Sequence, residues 1–203
     1  LAMAPGEACY IPVRHTPPAT QGSLDFGDSP TPAAGPTILP AALTLERLKP
    51  LLADPSVLKV GHNIKYDMQV LAGLDLTVTP IDDTMLLSYV LDGGTHGHGL
   101  DELASRHLGH LTIGFDEVCG TGRNRITFDR VPLDRALDYA AEDADVTLRL
   151  HQLLKPRLRA EQMVTLYETL ERPLVPVIVA MERAGIKVDR TILAALSEDF
   201  AHR

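Results

Sequence analysis

Helical spacing, with apolar residues three and four apart, recurs along most of the chain. Leu45, Leu48, Leu51 and Leu52 form one stripe behind Thr44, a residue suited to cap a helix start. The run Val57-Leu58-Lys59-Val60-Gly61 is too short for a helix and reads as a buried strand. Residues 63–74 follow it directly as a helix, with Ile64, Met68, Leu71 and Ala72 on one face. Asp83-Thr84 opens another helix through Met85, Leu86, Leu87 and Tyr89, and residues 99–109 form a short one that stops at Gly109. A longer helix is predicted over 133–158, carried by Leu137, Ala140, Ala141, Ala144 and Leu148, with Pro156 bending or ending it. Beyond it, two helices broken around Pro173, a stop at Gly185 and a strand at 186–188 are expected. Asp189 can cap a final helix. Residues 8–13 read as an opening strand, and residues 14–42, rich in Pro, Gly, Ser and Thr, as a long loop. No internal repeat is visible. A strand feeding straight into a helix points to an α/β domain with a helical C-terminal extension. The boundary is expected at about residue 160, giving segments 1–160 and 161–203.

The length of 203 residues allows one sizeable core and part of a second unit. A net charge of −8 argues against a module that grips nucleic acid by its backbone. It leaves room for an enzyme whose acidic site holds divalent metals, because the ions reverse the local charge. Cys9 and Cys119 stand far apart without metal-type spacing and read as reduced thiols of a cytoplasmic protein. No apolar run is long enough to cross a bilayer, so no membrane partner is expected. The opening Leu1-Ala2-Met3-Ala4-Pro5-Gly6 shows neither an initiator nor a targeting pattern and reads as the edge of a longer chain.

Candidate chemistry concentrates in "YAAEDADVT", residues 139–147. On a helix Tyr139 and Asp143 share a face, while Glu142 and Asp145 are expected to point into solvent. A carboxylate there can hold a divalent cation, and the phenol can orient or deprotonate a water bound to it. A half-buried tyrosine beside a solvated acidic face fits this stretch as well. In "GHNIKYD", residues 61–67, Asn63 and Asp67 repeat the four-residue spacing just after a buried strand. Ligands of open α/β sheets bind at such strand ends. Singly, Asn63 reads as a helix cap and Asp67 as a surface acid.

Together, N-x-x-x-D after the strand and Y-x-x-x-D within "YAAEDAD" resemble the second and third motifs of the 3′–5′ proofreading exonuclease domain of bacterial family A DNA polymerases. "DDTMLLSYVLD", "HGLDELASRHLGH" and "RITFDRVPLDRALDYAAEDADVTLRLH" resemble that domain too, and "ERPLVPVIVAMERAGIKVD" resembles the segment leading into the polymerase domain. The resemblance covers nearly all of the chain except residues 14–42. It implies a ribonuclease H-like fold, a mixed sheet flanked by helices, and removal of single nucleotides from a single-stranded or frayed DNA 3′ end. It implies two divalent metals, magnesium or manganese. Asp143 would bind the metal that activates the attacking water, Asp67 would anchor the second, and Tyr139 would orient the water. Asn63, Met85 and Phe115 fall where the family contacts the substrate, Met85 and Phe115 against the terminal bases, although both also suit a core. His62, His98, Asp82 and Asp83 read as structural, the two aspartates as helix caps.

The family's first motif, D-x-E on the opening strand, has no counterpart here. Asp25 and Asp28 have the wrong spacing and Glu7 lacks a partner, so the motif is expected upstream of Leu1. The chain is therefore expected to be N-terminally truncated, to hold at most half of the metal site, to be inactive or nearly so on its own, and to be prone to instability. Two alternatives stay open: a ribonuclease D-type exoribonuclease, and a non-catalytic domain that braces a polymerase or guides DNA.

Overall fold

A computed structural model describes residues 1–16 and 38–202. Most of the loop expected at 14–42 lies outside the described residues. The described chain runs β1 (Ala2–Ala4), β2 (Glu7–Ala8), α1 (Ala41–Ala53), β3 (Lys59–Gly61), α2 (Ile64–Ala72), β4 (Ile81–Asp83), α3 (Thr84–Asp92), α4 (Leu100–Leu103), α5 (Phe115–Cys119), α6 (Leu133–Ala160), α7 (Val164–Leu166), α8 (Arg172–Ala184) and α9 (Arg190–His202). Two π-helical turns, Ala104–Leu108 and Tyr167–Glu171, extend α4 and join α7 to α8. β1 and β2 pair antiparallel, and β3 and β4 pair parallel with Val60 opposite Asp82. Both senses of pairing are thus present beneath the helices.

The spine is α6. Val146, Leu150, Leu154 and Leu158 recur every fourth residue and are fully buried against Leu87 and Leu103. This is the face that a 3.6-residue period dictates. Pro156 lies on the exposed side, where water can serve the carbonyl it leaves unpaired. The helix therefore passes through it to Ala160 instead of ending there.

Several boundaries differ from expectation. The opening strand is a tight hairpin over residues 2–8, turned by Gly6 at φ +80°, and residues 9–13 form no strand. Thr44 does not cap α1; the helix begins at Ala41, and the Thr44 hydroxyl donates to the Pro40 carbonyl at 3.2 Å. β4 is the parallel partner that the hydrophobic pattern concealed, being two-thirds aspartate. Pro173 breaks nothing: the helical backbone runs from the π turn through Glu171 into α8 and carries Pro173 in its first turn. Residues 186–188 form no strand. Asp189 does cap α9, accepting from Thr191 N at 2.9 Å and Ile192 N at 3.3 Å.

The C-terminal helices are fastened to β4. Tyr167 is fully buried, and its hydroxyl accepts from the Asp83 N–H at 2.9 Å and donates to the Asp82 carboxylate at 3.2 Å. Asp82, also fully buried, does not cap a helix. It gathers His151 at 2.8 Å, Lys155 at 2.9 Å and Arg172 at 3.4 Å, tying α6 and α8 to the strand. Burial alone would raise its pKa; hydrogen bonds from His151 and Lys155 outweigh that and hold it down to about 2.

Candidate active site

Asp83 organises the strand end. Its carboxylate accepts from Asn63 N at 3.1 Å and Ile64 N at 2.9 Å at the start of α2, and from Met85 N at 2.9 Å and Leu86 N at 3.3 Å at the start of α3. One side chain thus caps two helices. Asn63 holds the N-cap position in the left-handed region, φ 54°, but its side chain makes no capping bond. The cap that sequence assigned to Asn63 is made by Asp83, and Asn63 lines a cleft together with Lys65, Met85 and Leu174. Asp67 lies one turn into α2 on the exposed side. The surrounding protein mass raises its pKa, and the Asp83 carboxylate adds to the shift.

The second group stands on α6. Tyr139 stands one turn before Asp143 on the same helix, and each group shifts the other's pKa. Phe115, at the start of α5, meets the Tyr139 ring edge-on at 5.9 Å between centroids, and Phe128 meets it at 5.6 Å. The Arg125 guanidinium lies 5.3 Å over the Phe115 ring. Phe115 is 39 % exposed, with Phe128 stacked on its ring at 6.3 Å. Burial, then the Asp143 charge, raise the Tyr139 pKa. Such a phenol keeps its proton at neutral pH, so it can orient a water but not deprotonate one. Burial raises Asp143 to about 6; the neighbouring Tyr139 phenol opposes the shift, and the Asp101 and Glu142 carboxylates add to it.

Glu142 and Asp145 do not point freely into solvent. Glu142 accepts from Ile113 N at 2.6 Å and pairs with His110 at 2.7 Å; Asp145 accepts from Gly6 N at 2.6 Å. Each pins a loop or hairpin to α6 on one side of Asp143. Buried backbone N–H groups require such partners, and periodicity does not show which distant loop will supply one.

Asp101, on α4, is the site residue that sequence reasoning passed over. Its charge acts on Tyr139, on Asp143 and on His62. It therefore marks a shared rim where the end of β3 meets the middle of α6. The available signal was an acid in a helix first turn, which the helix dipole alone explains. His62 contacts the Thr84 hydroxyl at 2.9 Å, and burial lowers its pKa to about 4, so it is neutral. His98 contacts the Ser88 hydroxyl at 2.8 Å. Asn63, Asp67 and Met85 thus gather around the end of β3, and Phe115, Tyr139 and Asp143 around α6. Among the described residues, the set of three side chains close enough to share one ion lies elsewhere, at Asp92, His96 and His107.

A parallel strand pair flanked by helices fits the ribonuclease H-like fold, and the family match makes the class a hydrolytic nuclease. Residues 2–159 match the 3′-5′ exonuclease family, and the chain belongs to that family, the exonuclease domain of DNA polymerase I. It is 48 % identical over 194 residues to DNA polymerase I of Rhizobium leguminosarum, covering 96 % of this chain and 18 % of that protein. With DNA polymerase I of Pseudomonas aeruginosa the identity is 41 %, covering 100 % of this chain and 21 % of the relative. The chain therefore spans about a fifth of the relatives it matches. Among solved structures it resembles the Pol1 POL domain of M. smegmatis in complex with DNA primer-template and dNTP, at TM-score 0.63 and 28 % identity over 82 % of this chain and 25 % of that one. Brucella melitensis NrnC bound to pGG shares the fold, at TM-score 0.58 and 23 % identity over 70 % of this chain and 67 % of that one. The polymerase relatives favour the polymerase reading over a ribonuclease D type. The family is typically dependent on divalent metals. Among the described residues no helix is long and apolar enough to cross a membrane.

Proposed function

We propose that this chain is the proofreading unit of a bacterial cytoplasmic DNA polymerase I and removes mismatched nucleotides from a single-stranded or frayed DNA 3′ end. Residues 1–160 would form the exonuclease domain, and residues 161–203 the connection to a polymerase domain. The observation that carries the reading is the Tyr139–Asp143 pair within the family match: a carboxyl raised to about 6 among other acids, one helical turn from a phenol that keeps its proton.

A half-buried carboxyl surrounded by like charges is a group that a cation relieves. Asp143 would hold one divalent ion and Asp67 a second, and oxygen donors suit magnesium or manganese. When bound, such ions supply positive charge to the entering and departing oxygens of a phosphodiester. The chain's own residues prepare the place. Tyr139, a phenol that keeps its proton beside Asp143, would use its hydroxyl to orient an attacking water. Phe115, bracketed by Arg125 and Phe128, would meet a terminal base through its exposed part, an apolar contact that does not depend on sequence. Met85 and Asn63 line the same cleft, which offers an apolar and a polar residue to a nucleotide.

The test uses single-stranded DNA labelled at its 5′ end, with manganese, in three samples: the chain, a version extended upstream through a D-x-E motif, and that version with Asp143→Ala. The extended version shortens the DNA from its 3′ end, and Asp143→Ala slows this by at least about a hundredfold. Unchanged cleavage by the variant overturns the site assignment. Absence of cleavage by both chain and extended version, with DNA still bound, identifies a DNA-guiding scaffold instead.

A further inference from the structure

Beyond α3 lies a second set of ligand-type side chains that the nuclease does not use. Asp92 ends α3, His96 follows it, and His107 projects from the π-helical turn after α4. One ligand atom from each lies within 4.8 Å of the other two. Arg157, which touches this cluster, is fourteen residues beyond Asp143 on the same helix, about 20 Å along its axis. The cluster is therefore remote from the nuclease rim.

Three features suit it to an ion. The His96 Nδ1 contacts the Gly97 carbonyl at 2.6 Å. A carbonyl only accepts, so Nδ1 carries the proton and neutral His96 turns the lone pair of Nε2 toward Asp92. That nitrogen lies 3.9 Å from the Asp92 Oδ2, and the His96 side chain is only 4 % exposed. Two acceptors facing across this gap leave room for a cation between them. An outer hydrogen bond of this kind is what fixes a ligating histidine in its tautomer. Next, the His107 Nε2 is buried with no hydrogen-bond partner. A buried nitrogen without a partner is costly unless something binds it. Last, the π turn carrying His107 is a device that re-aims one side chain and recurs at functional sites.

The charges around the cluster are mixed. Arg157 grips Asp92 with two bonds of 3.0 Å and also pairs with Glu161 at 2.8 Å; Arg106 acts on His107 from the π turn. A carboxylate has about four lone-pair directions. Asp92 can therefore keep the arginine fork, which fixes its orientation, and still offer an oxygen to an ion. Two imidazoles and one carboxylate form a borderline donor set with one position left for water, as suits zinc rather than magnesium. We propose that Asp92, His96 and His107 bind one divalent transition ion, zinc by preference, and so clasp the end of α3 to the π turn. The competing account is a plain ion pair, with protonated histidine against Asp92.

Cobalt is the probe, because it absorbs visibly in tetrahedral sites and can be displaced by zinc. The 203-residue chain is titrated with cobalt(II) as wild type, Asp143→Asn, and His107→Gln. The last removes a ligand without deleting a hydrogen bond from His107 Nε2, which has none. One equivalent is expected to develop tetrahedral bands in wild type and Asp143→Asn, and zinc to abolish them. His107→Gln weakens binding at least about tenfold, and zinc raises the thermal midpoint of wild type but not of this variant. Bands that vanish with Asp143→Asn, bands that persist in His107→Gln, or no bands and no zinc-dependent midpoint in wild type each overturn the site. None of these results bears on 3′-end cleavage, which is read separately through Asp143→Ala.

Discussion

Asp143 works against the stability of the chain that carries it. Its folded-state pKa of about 6 lies above the ordinary carboxylate value, chiefly because burial disfavours the charge. The folded form therefore prefers the acid. Below about pH 4 the carboxyl is protonated folded or unfolded and costs nothing; as pH rises through 6 the penalty appears in full. In the absence of divalent ions, Asp143→Asn is expected to raise the thermal midpoint at about pH 7.5, and the gain should vanish at about pH 4. Equal midpoints at both pH values would mean that the carboxyl is not strained. At this scale the sequence was legible where the contact is local: a four-residue spacing was enough to bring Tyr139 and Asp143 together. It was not legible for Asp101, which acts on α6 from α4, or for Glu142 and Asp145, whose partners come from a loop and the opening hairpin. Asp83 shows the same limit, because capping α2 from β4 joins residues twenty apart in sequence.

Among the elements, β4 and α6 bear most of the architecture and were read with unequal success. The 28 residues of α6 carry a periodic apolar face and were recognised almost whole. β4 has three residues, two of them buried aspartates, and no hydrophobic period can announce it. Its Asp82 holds His151, Lys155, Arg172 and Tyr167 around one carboxylate. Asp82→Ala leaves those cations facing one another and the Tyr167 hydroxyl without its acceptor. A loss of about 3 kcal/mol in urea unfolding near neutral pH is expected, since removing one member of a buried ion pair typically costs 3–5 and these cations can partly rehydrate. The sign with pH follows from the lowered pKa. Stability supplied by Asp82 is complete above about pH 4 and is lost as pH falls toward the folded-state value of about 2. The wild type should therefore weaken more than the variant over that interval. Parallel pH curves would show that the cluster contributes no net stability.

Across the whole molecule, the packed body ends before the chain does. Among the described residues Val175 and Val179 are the last buried ones, and Glu182 on α8 still pairs with Lys65 at 2.5 Å. From Ala180 to His202 every residue is exposed, including Ile186, Ile192, Leu193, Leu196 and Phe200. The amphipathic pattern of α9 was correctly read as a helix, but periodicity reports only that a face is apolar, not that anything within the chain covers it. Folding stability comes from apolar surface removed from water, and α9 removes little. Deleting residues 186–203 is therefore expected to shift the urea-unfolding free energy by no more than about 0.5 kcal/mol, the usual range for changes to exposed surface. The dependence of that free energy on urea should hardly change, because it scales with surface exposed on unfolding. Removing Tyr167 and the helix beyond it is a different operation, since it uncovers Asp82 and the core below α6. A deletion of 186–203 that cost several kcal/mol would show α9 packed on the body in solution, and the boundary of the folded unit would then move from residue 185 to the end of the chain.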